Sequence, residues 1–307
     1  MTRNLSVVIP VLNEEFNISK LVDELKKNVL KISEDFEIIF IDDGSVDDTW
    51  AVIEKEAKLD NRIIGLKLSR NFGHHYAITA GIHQAIGNWV VVMDGDLQDR
   101  PDVIPHLVEK ANQGFDVVFV NRVDRPESLI YRVLQKIFYS ILRFLSGFDF
   151  DSRQANFSII SRKVVEAFKN FPENARFYGS TIKWLGFKVS SIDASHGKRF
   201  QGKPSYTLRK RFKLASDIIL AFSDRPLRMA IGLGITISLL SILMVIWIVI
   251  GVYSWGFTVI GWPSLVAAIF FSTGIILIVL GIIGVYLGQI FREVKSRPLY
   301  IISETTN

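Results

Sequence analysis

The sequence contains no cysteine. Without thiols the chain cannot form a disulfide bridge and offers no thiolate ligand, which excludes a disulfide-stapled secreted module and a cysteine-based zinc site. Charge is missing from one long stretch, because residues 229–291 include no Asp, Glu, Lys, Arg or His. An uncharged run of this length exceeds the roughly 20 residues of one membrane span and suits two. A simple soluble enzyme is therefore excluded.

The N-terminus lacks the basic region and apolar core of a secretory signal, and it leads directly into an apolar, strand-like run over residues 5–9. We therefore expect no cleavable signal, and we expect residues 1–226 to stay in the cytosol. A hydrophobic fraction of 49% also excludes a disordered chain.

The net charge of +5 conceals a separation by sign. Residues 1–120 carry 12 Lys and Arg against 20 Asp and Glu, whereas residues 121–307 carry 24 against 11. The basic residues flank the uncharged run and form no recognised nucleic-acid-binding motif, so nucleic acid is not an expected partner. Anionic lipid and phosphate are the partners that such a distribution favours.

The chain divides into a catalytic domain over residues 1–226, a membrane part over 227–291 and a tail over 292–307. Two transmembrane helices are predicted at 227–253 and 263–291. Basic residues precede the first helix and follow the second, whereas the linker between them has none. The positive-inside rule then predicts a multi-pass protein of the cell (inner) membrane with the catalytic domain and both termini in the cytoplasm. Glycines in both helices permit close packing and a homo-oligomer.

Short Val- and Ile-rich runs alternate with helical patterns in the first 120 residues, which is typical of a doubly wound α/β fold with parallel strands. Such a sheet binds ligands beyond the carboxyl ends of its strands. Two further segments, 129–145 and 206–222, are amphipathic and suit either core helices or helices in the membrane interface. The predicted strands are 5–9, 36–41, 63–68, 89–93 and 116–120, and the helices are 18–31, 48–59, 75–85 and 101–113.

Acidic residues follow two of these strands. Asp42 and Asp43 come directly after the second strand, and Asp94 and Asp96 come after the fourth. Turn formation and helix capping explain one such cluster. Two clusters at one edge of a sheet concentrate negative charge, which requires a metal ion, hydrogen-bond donors or protonation to offset it. We therefore predict a binding site at this edge.

Four motifs occur in order along the chain: SVVIPVLNE at 6–14, DDGS at 42–45, RNFG at 70–73 and DGDLQDRP at 94–101. With the membrane helices behind them, they make the chain similar to family 2 glycosyltransferases of the GT-A fold. Within that family it resembles the polyprenyl-phosphate glycosyltransferases, the group that contains dolichyl-phosphate mannose synthase and bacterial undecaprenyl-phosphate sugar transferases.

The resemblance implies roles for the residues of these motifs. Asp42 or Asp43 would hydrogen-bond the uracil of a UDP-sugar, and Arg70 would approach the nucleotide. The nucleoside pocket would be lined by Pro10, Leu12 and Glu14.

Asp94 and Asp96 correspond to the metal-binding motif of this family. They are expected to hold Mg²⁺ or Mn²⁺, and Asp96 is expected to be the more direct ligand. Hard carboxylate oxygens suit either ion. Helix capping is the alternative role for Asp96.

The acceptor half of the resemblance lies in the basic segment before the first membrane helix. Arg199 and Lys203 are candidate ligands for diphosphate or lipid phosphate, with attraction to anionic headgroups as the alternative. The segment departs from the family's Ser-Lys-Tyr order, because it has Lys203 followed by Pro-Ser-Tyr.

A second departure lies at Asn156, where many relatives have an Asp that is proposed as a base. An amide takes no proton at neutral pH. Asp149 or Asp151 is a substitute, and we include Asp151 with Asn156 and Asp96 among the candidate catalytic residues. A lipid phosphate is already anionic, so we expect positioning and metal electrostatics to outweigh general-base catalysis.

Two groups near the acidic motifs have an open role. His74 and His75 are adjacent in sequence, so their side chains are expected to point in different directions rather than bind one metal ion. One of them is a candidate contact of the donor sugar or phosphate. Gln98, Asp99 and Arg100 suit either hydrogen bonding to the sugar or the start of a helix.

Together these features predict a membrane-anchored, metal-dependent inverting glycosyltransferase. It is expected to transfer a sugar from a nucleotide-sugar, a UDP-sugar in the first instance, to polyprenyl (undecaprenyl) phosphate at the cytoplasmic face of the bilayer. The alternatives are a transferase that acts on another membrane lipid and a non-catalytic membrane scaffold with a degenerate transferase domain.

Overall fold

A computed structural model describes residues 4–123, 140, 143–145, 154–173, 177–195, 197, 223–255 and 261–306. The chain forms two compact units. Unit 1 comprises Met1–Lys136, Phe150–Tyr206 and Arg297–Asn307, and unit 2 comprises Ile137–Asp149 and Thr207–Ser296.

Unit 1 is built on an eight-stranded sheet with the order β7-β5-β6-β4-β1-β2-β3-β8. The strands are β1 (Leu5–Val11), β2 (Phe36–Asp42), β3 (Ile63–Leu68), β4 (Trp89–Val92), β5 (Val117–Arg122), β6 (Gln154–Ser161), β7 (Val189–Ala194) and β8 (Ile302–Thr305). The helices are α1 (Ile18–Val29), α2 (Thr49–Leu59), α3 (His74–Gln84), α4 (Ile104–Ala111), α5 (Arg162–Lys169) and α6 (Tyr178–Trp184), with a 3₁₀ turn at Pro101–Val103 before α4.

The centre of the sheet is parallel, as the sequence predicted. β1 pairs in parallel with both β2 and β4, and β2 pairs in parallel with β3. Every residue of β1 and β2 is buried. Alternate side chains of these strands enter two apolar layers: Val7 and Ile38 pack with α1, α2 and α4, whereas Val8 and Ile39 pack with α3, α5 and α6. Burial of each such side chain contributes about 1.5–3 kcal/mol, so this double core holds the strand ends in place.

One strand of the sheet, β6 (Gln154–Ser161), is not among the strands predicted from the sequence. This strand lies between β4 and β5 and is antiparallel to both. Its sequence mixes Gln154, Asn156 and Ser158 with apolar residues, unlike the apolar runs of the predicted strands. Because β6 runs in the opposite direction, its first residues, including Asn156, lie at the edge where β4 and β5 end.

The segment treated above as a C-terminal tail contributes an edge strand. β8 pairs antiparallel with β3. Its Glu304 accepts a hydrogen bond from Trp50 Nε1 (3.1 Å) and pairs with Lys67 (2.7 Å). All four residues of β8 are exposed, so the strand has no hydrophobic pattern by which to recognise it.

Unit 2 contains two long apolar helices, α7 (Arg225–Trp255) and α8 (Trp262–Val294). A helix of 31 residues, the length of α7, is roughly 46 Å long, more than the ~30 Å hydrocarbon core of a bilayer. The stretches long and apolar enough to cross a membrane are Leu227–Met244 and Ala268–Val294, of which 6% and 0% are buried within the protein. These apolar surfaces suit contact with lipid. The predicted amphipathic segments 129–145 and 206–222 lie outside the described residues, apart from helical residues 140 and 143–145.

Candidate functional site

The loops that follow β1 and β2 are bound to each other by side chain–backbone hydrogen bonds. The amide of Asn13 donates to Ser45 Oγ (2.9 Å), and its side-chain oxygen accepts from the amide of Val46 (2.9 Å). The amide of Glu14 donates to Thr49 Oγ1 (2.8 Å). Asn13 has a φ of 56°, in the left-handed region that Asn tolerates better than most residues. The two predicted nucleotide-binding motifs therefore form one rigid surface.

The acidic cluster after β2 is held by backbone amides. Asp43 accepts from the amide of Phe72 at Oδ1 (2.8 Å) and from that of Gly73 at Oδ2 (2.9 Å). Burial raises the pKa of Asp43, and these amide hydrogen bonds oppose that rise. Asp42 accepts from the amide of Ser45 at Oδ1 (2.8 Å), but its fully buried Oδ2 has no hydrogen-bond donor among the described residues. Asp42 thus keeps one acceptor oxygen for another partner.

Gly44 brings the predicted nucleotide-contacting arginine to this cluster. It has a φ of 77°, and a Cβ atom there would lie 2.6 Å from the carbonyl carbon of Arg70. Only glycine permits both the conformation and the contact. The Arg70 guanidinium stacks over the ring of Phe72, 4.1 Å from its centroid, and donates to the carbonyl of Asn71 (3.1 Å).

The acidic cluster after β4 faces an arginine from the end of β5. The Arg122 guanidinium lies 3.3 Å from Asp99 Oδ1 and 3.6 Å from Asp94 Oδ2. Asp99 Oδ2 also accepts from the amide of Asp94 (3.0 Å). Burial raises the pKa of Asp99 to about 7, the charge of Asp94 adds to the rise, and Arg122 opposes it. The Arg122 guanidinium therefore offsets part of the negative charge at this end of the sheet.

The loop that carries Asp96 is tightly wound. Asp96 Oδ1 accepts from the amide of Gln98 (3.1 Å), and Leu97 between them has a φ of 62°. The amide of Gly197 donates to the carbonyl of Gln98 (2.9 Å), and a Cβ atom on Gly197 would lie 2.8 Å from the carbonyl oxygen of Leu97. The predicted metal-binding loop is thus packed against the start of the basic segment.

His74 lies between the two acidic clusters. Its Nε2 is 3.3 Å from Asp94 Oδ1 and 3.1 Å from Asn156 Nδ2. Burial lowers the pKa of His74, and the charges of Asp43, Asp99 and Asp96 oppose that shift. The imidazole therefore lies in the field of carboxylates from both strand ends.

His75 faces another way, as the sequence predicted. The two rings make an angle of 68° at a centroid distance of 5.5 Å. His75 Nδ1 accepts from the amide of Tyr178 (3.4 Å), and its ring packs edge-on against Phe177 (5.6 Å). Burial lowers the pKa of His75 to about 3, and the neighbouring His74 adds to that shift. Its contacts join α3 to α6 and do not form a metal pair with His74.

The donor set at this edge fits a divalent cation that receives further ligands from its substrate. Within the described residues, no group of three or more His, Asp and Glu side chains is arranged to hold a metal ion. Mg²⁺ in enzymes commonly uses only one or two carboxylates and completes its shell with water and substrate phosphates. Asp94 and Asp96 are carboxylates of this kind, and His74 and Arg122 already contact both oxygens of Asp94.

The structure brings most of the sequence-predicted residues to this edge and leaves others outside its description. Pro10 is buried at the end of β1, Leu12 is exposed and Glu14 is half-buried. Asp149, Asp151, Arg199 and Lys203 lie outside the described residues.

Arg122 was missed by the sequence analysis. Its position at the carboxyl end of a predicted strand was the available signal, since the ends of parallel strands meet at one edge.

The sheet with its acidic edge defines a GT-A glycosyltransferase fold. It is similar to the structure of glucosyl-3-phosphoglycerate synthase from Mycobacterium tuberculosis, with a TM-score of 0.52 and 22% identity over 71% of this chain and 77% of that one. Residues 6–168 match the model of glycosyl transferase family 2. The chain belongs to this family, and it is a glycosyltransferase.

Relatives match nearly the whole chain. The SfII prophage-derived bactoprenol glucosyl transferase of Shigella flexneri is 35% identical over 306 residues, which cover 98% of each chain. The uncharacterized glycosyltransferase YkcC of Bacillus subtilis (strain 168) is 35% identical over 311 residues, which cover 99% of this chain and 95% of the relative. The similarity therefore includes the apolar helices as well as the acidic edge.

Proposed function

We propose that this protein transfers a sugar from a UDP-sugar to the phosphate of a polyprenol, undecaprenyl phosphate, with inversion at the anomeric carbon. The observation that carries the proposal is the match to a bactoprenol glucosyl transferase over 98% of both chains. Bactoprenol is a polyprenol, and two apolar helices in the same chain suit an enzyme whose acceptor resides in a bilayer.

The cluster after β2 supports a hydrogen bond to a nucleotide base, which the proposal takes to be uracil. Asp43 is engaged by the Phe72 and Gly73 amides, whereas Asp42 Oδ2 has no donor among the described residues. A buried acceptor without a donor is costly, so a ligand N–H at that atom is stabilising. Uracil has one such N–H. We assign the base contact to Asp42, the walls of the pocket to Pro10, Leu12 and Glu14, and the nucleotide phosphates to Arg70.

The cluster after β4 supports a role for Mg²⁺ or Mn²⁺. A divalent ion bound there supplies charge stabilisation for the departing diphosphate. We assign Asp96 as the more direct ligand of the metal ion. The carboxylate of Asp94 is already in contact with His74 and Arg122. Gln98 follows in the same loop and suits a contact with the sugar.

The reaction needs no general base in this proposal. A phosphate oxygen of the acceptor attacks the anomeric carbon, and the bond from that carbon to the UDP oxygen breaks with its electron pair remaining on UDP. The acceptor phosphate is anionic before the attack. Asn156 therefore serves to orient it by donating an amide hydrogen bond, and Asp151, Arg199 and Lys203 remain predicted contributors on the acceptor side.

A donor screen tests the proposal. The full-length protein in detergent is incubated with Mg²⁺ or Mn²⁺, radiolabelled undecaprenyl phosphate and a panel of UDP- and GDP-sugars, and lipid-extractable product is measured. We expect product from a UDP-sugar and its loss on chelation of the metal. In parallel reactions with radiolabelled diacylglycerol in place of undecaprenyl phosphate, more product would favour the other lipid acceptor. No release of nucleotide from any donor with either acceptor would favour the scaffold.

The orientation is part of the same proposal. Arg225 and Arg228 lie in the first turn of α7, and Arg292 and Lys295 lie at the end of α8. Basic residues beside both outer ends place the catalytic domain and both termini in the cytoplasm. A cysteine introduced at Ser303 and another in the linker at 256–260 would be labelled from opposite sides of intact cells by a membrane-impermeant reagent, and labelling of both from one side would contradict this orientation.

A further inference from the structure

The position of His74 is fixed by the backbone at the start of α3. It is the first residue of α3, and the preceding Gly73 donates its amide to Asp43 (2.9 Å). The buried carboxylate thus ties the start of the helix to the end of β2. The imidazole projects from a fixed point, so its contacts are constrained by the fold.

Asn156 is held on its other side by a buried hydroxyl pair. Ser158 Oγ donates to the backbone carbonyl of Asn156 (2.8 Å) and contacts the Tyr178 hydroxyl (2.7 Å). The backbone of β6 is therefore anchored at this point. The Asn156 side chain has one polar partner among the described residues, which is His74 Nε2 at 3.1 Å from Asn156 Nδ2.

One ring nitrogen of His74 accordingly lies against two side chains. If Nε2 lacks a proton, it accepts from the Asn156 amide. If Nε2 carries the proton, it donates to the Asn156 oxygen once that amide is turned over, and it lies within ion-pair distance of Asp94 Oδ1 (3.3 Å). In both arrangements one edge of the amide is bound to His74, and the Asn156 Nδ2 group keeps at least one N–H that can donate to a ligand.

The chemistry of this contact suits an anionic acceptor. A phosphate that approaches Asp94 meets a like charge, which opposes binding. An amide held between them offers a hydrogen bond without adding negative charge, whereas a carboxylate at position 156 would add one. The amide is useful only if its orientation is maintained, and His74 is the side chain that maintains it.

We propose that His74 is a positioning residue for the acceptor phosphate, acting by holding the Asn156 amide beside Asp94. This inference rests on the proposed function, because it takes the acceptor to be a polyprenyl phosphate.

Substitutions at His74 test the inference on the full-length protein. Gln places its amide nitrogen near the position of Nε2, whereas Asn reaches only the position of Nδ1. We expect His74→Asn and His74→Ala to raise the KM for undecaprenyl phosphate about tenfold, the effect of one lost hydrogen bond. His74→Gln should restore most of the affinity. UDP affinity, measured by calorimetry, should change less than about twofold in all three variants.

His83→Gln is the matched control. His83 lies on the same helix and contacts the Tyr300 hydroxyl through Nδ1 (3.0 Å) rather than a residue of the site. We expect this variant to keep the wild-type KM for the acceptor. Loss of acceptor affinity there as well would mean that α3 as a whole, and not the His74 contact, had been disturbed, and would overturn the inference.

A double substitution separates positioning from direct contact. If His74 acts through Asn156, His74→Ala should have no further effect on the acceptor KM in an Asn156→Ala background. Additive effects, equal losses in the Gln and Asn variants, or a parallel loss of UDP affinity would each overturn the inference. Wild-type protein that forms no lipid product would instead overturn the proposed function, while UDP binding and thermal unfolding remain measurable.

Discussion

The acidic clusters after β2 and after β4 use the same residue types in different ways. After β2, Asp43 accepts hydrogen bonds from the amides of Phe72 and Gly73, and Asp42 accepts one from Ser45. After β4, Asp94 and Asp99 face the side chain of Arg122, and Asp94 also faces His74. The first cluster is held by backbone amides, whereas the second accepts the amides of Asp94 and Gln98 and is also paired with the side chains of Arg122 and His74.

The difference indicates a division of work at the edge of the sheet. Backbone amides hold the first cluster rigidly, which suits the recognition of a flat base and the support of the loop that carries Arg70. In the proposed function, the side chains beside the second cluster share its negative charge with a metal ion. Substitutions in the two clusters should therefore affect different measurable properties.

The largest effect is expected from Asp96→Asn. The variant keeps the oxygen that accepts from the Gln98 amide (3.1 Å) but removes the charge proposed to bind the metal. We expect sugar transfer to fall about 100-fold or more, in the range seen when one electrostatic group is lost from an active site, with thermal unfolding unchanged. Asp102→Asn is the control, because Asp102 pairs with Arg100 at the surface. Wild-type activity in Asp96→Asn would remove Asp96 from the metal site.

Asp43→Asn should act on stability first. The amide retains one acceptor atom but turns its NH₂ group toward a backbone N–H, either that of Phe72 or that of Gly73. Loss of a hydrogen bond to a charged group costs about 1.5–3 kcal/mol. We expect a lower unfolding temperature in calorimetry and weaker UDP binding, because the Arg70 loop is released. If stability is unchanged while transfer is lost, Asp43 belongs with the chemically active cluster and the division above is wrong.

A smaller effect is expected from Gly197→Ala. Its Cβ atom would lie 2.8 Å from the carbonyl oxygen of Leu97 and would displace the loop that carries Asp96. We expect transfer to fall about tenfold, a change of ~1.4 kcal/mol in the barrier, and the metal concentration needed for half-maximal activity to rise. Gly179→Ala is a comparison within α6, where no atom would lie within 4 Å of the added Cβ. Equal effects of both substitutions would show that the contact with Leu97 is not the cause.

The smallest effect is expected at Asp60, at the opposite edge of the sheet, where β3 begins. Arg62 above all, and then Lys26, hold the pKa of Asp60 well below its usual range, although burial opposes this shift. A depressed pKa means that Asp60 stabilises the fold above the unfolded-state pKa of about 4 and loses that contribution as the pH falls below it. Asp60→Asn should therefore cost about 1 kcal/mol at pH 7. The difference in unfolding temperature between Asp60→Asn and the wild type should shrink below about pH 4. Sugar transfer at pH 7 should be unchanged. A change in sugar transfer would show that the opposite edge of the sheet also contributes to activity.

The sequence predicted the five strands β1 to β5 and their helices because each has a clear apolar pattern. It did not predict β6, because Gln154, Asn156 and Ser158 interrupt the apolar pattern of that segment. It did not predict β8, whose residues are all exposed. The contact between His74 and Asn156 joins residues 82 positions apart, and no local pattern encodes a pairing of that range.

The sequence by itself determined the class of protein, the two apolar helices and the two acidic motifs, because hydrophobic period, charge and motif order are local properties of the chain. Only the tertiary structure decided what each carboxylate does. Asp42 and Asp43 differ in the structure because the amides of Phe72 and Gly73 donate to Asp43. Arg122 belongs to the site because the strand order places the end of β5 near the end of β4, where Arg122 contacts Asp99. Hydrogen bonds and ion pairs form between neighbours in space, and the fold alone makes those residues neighbours.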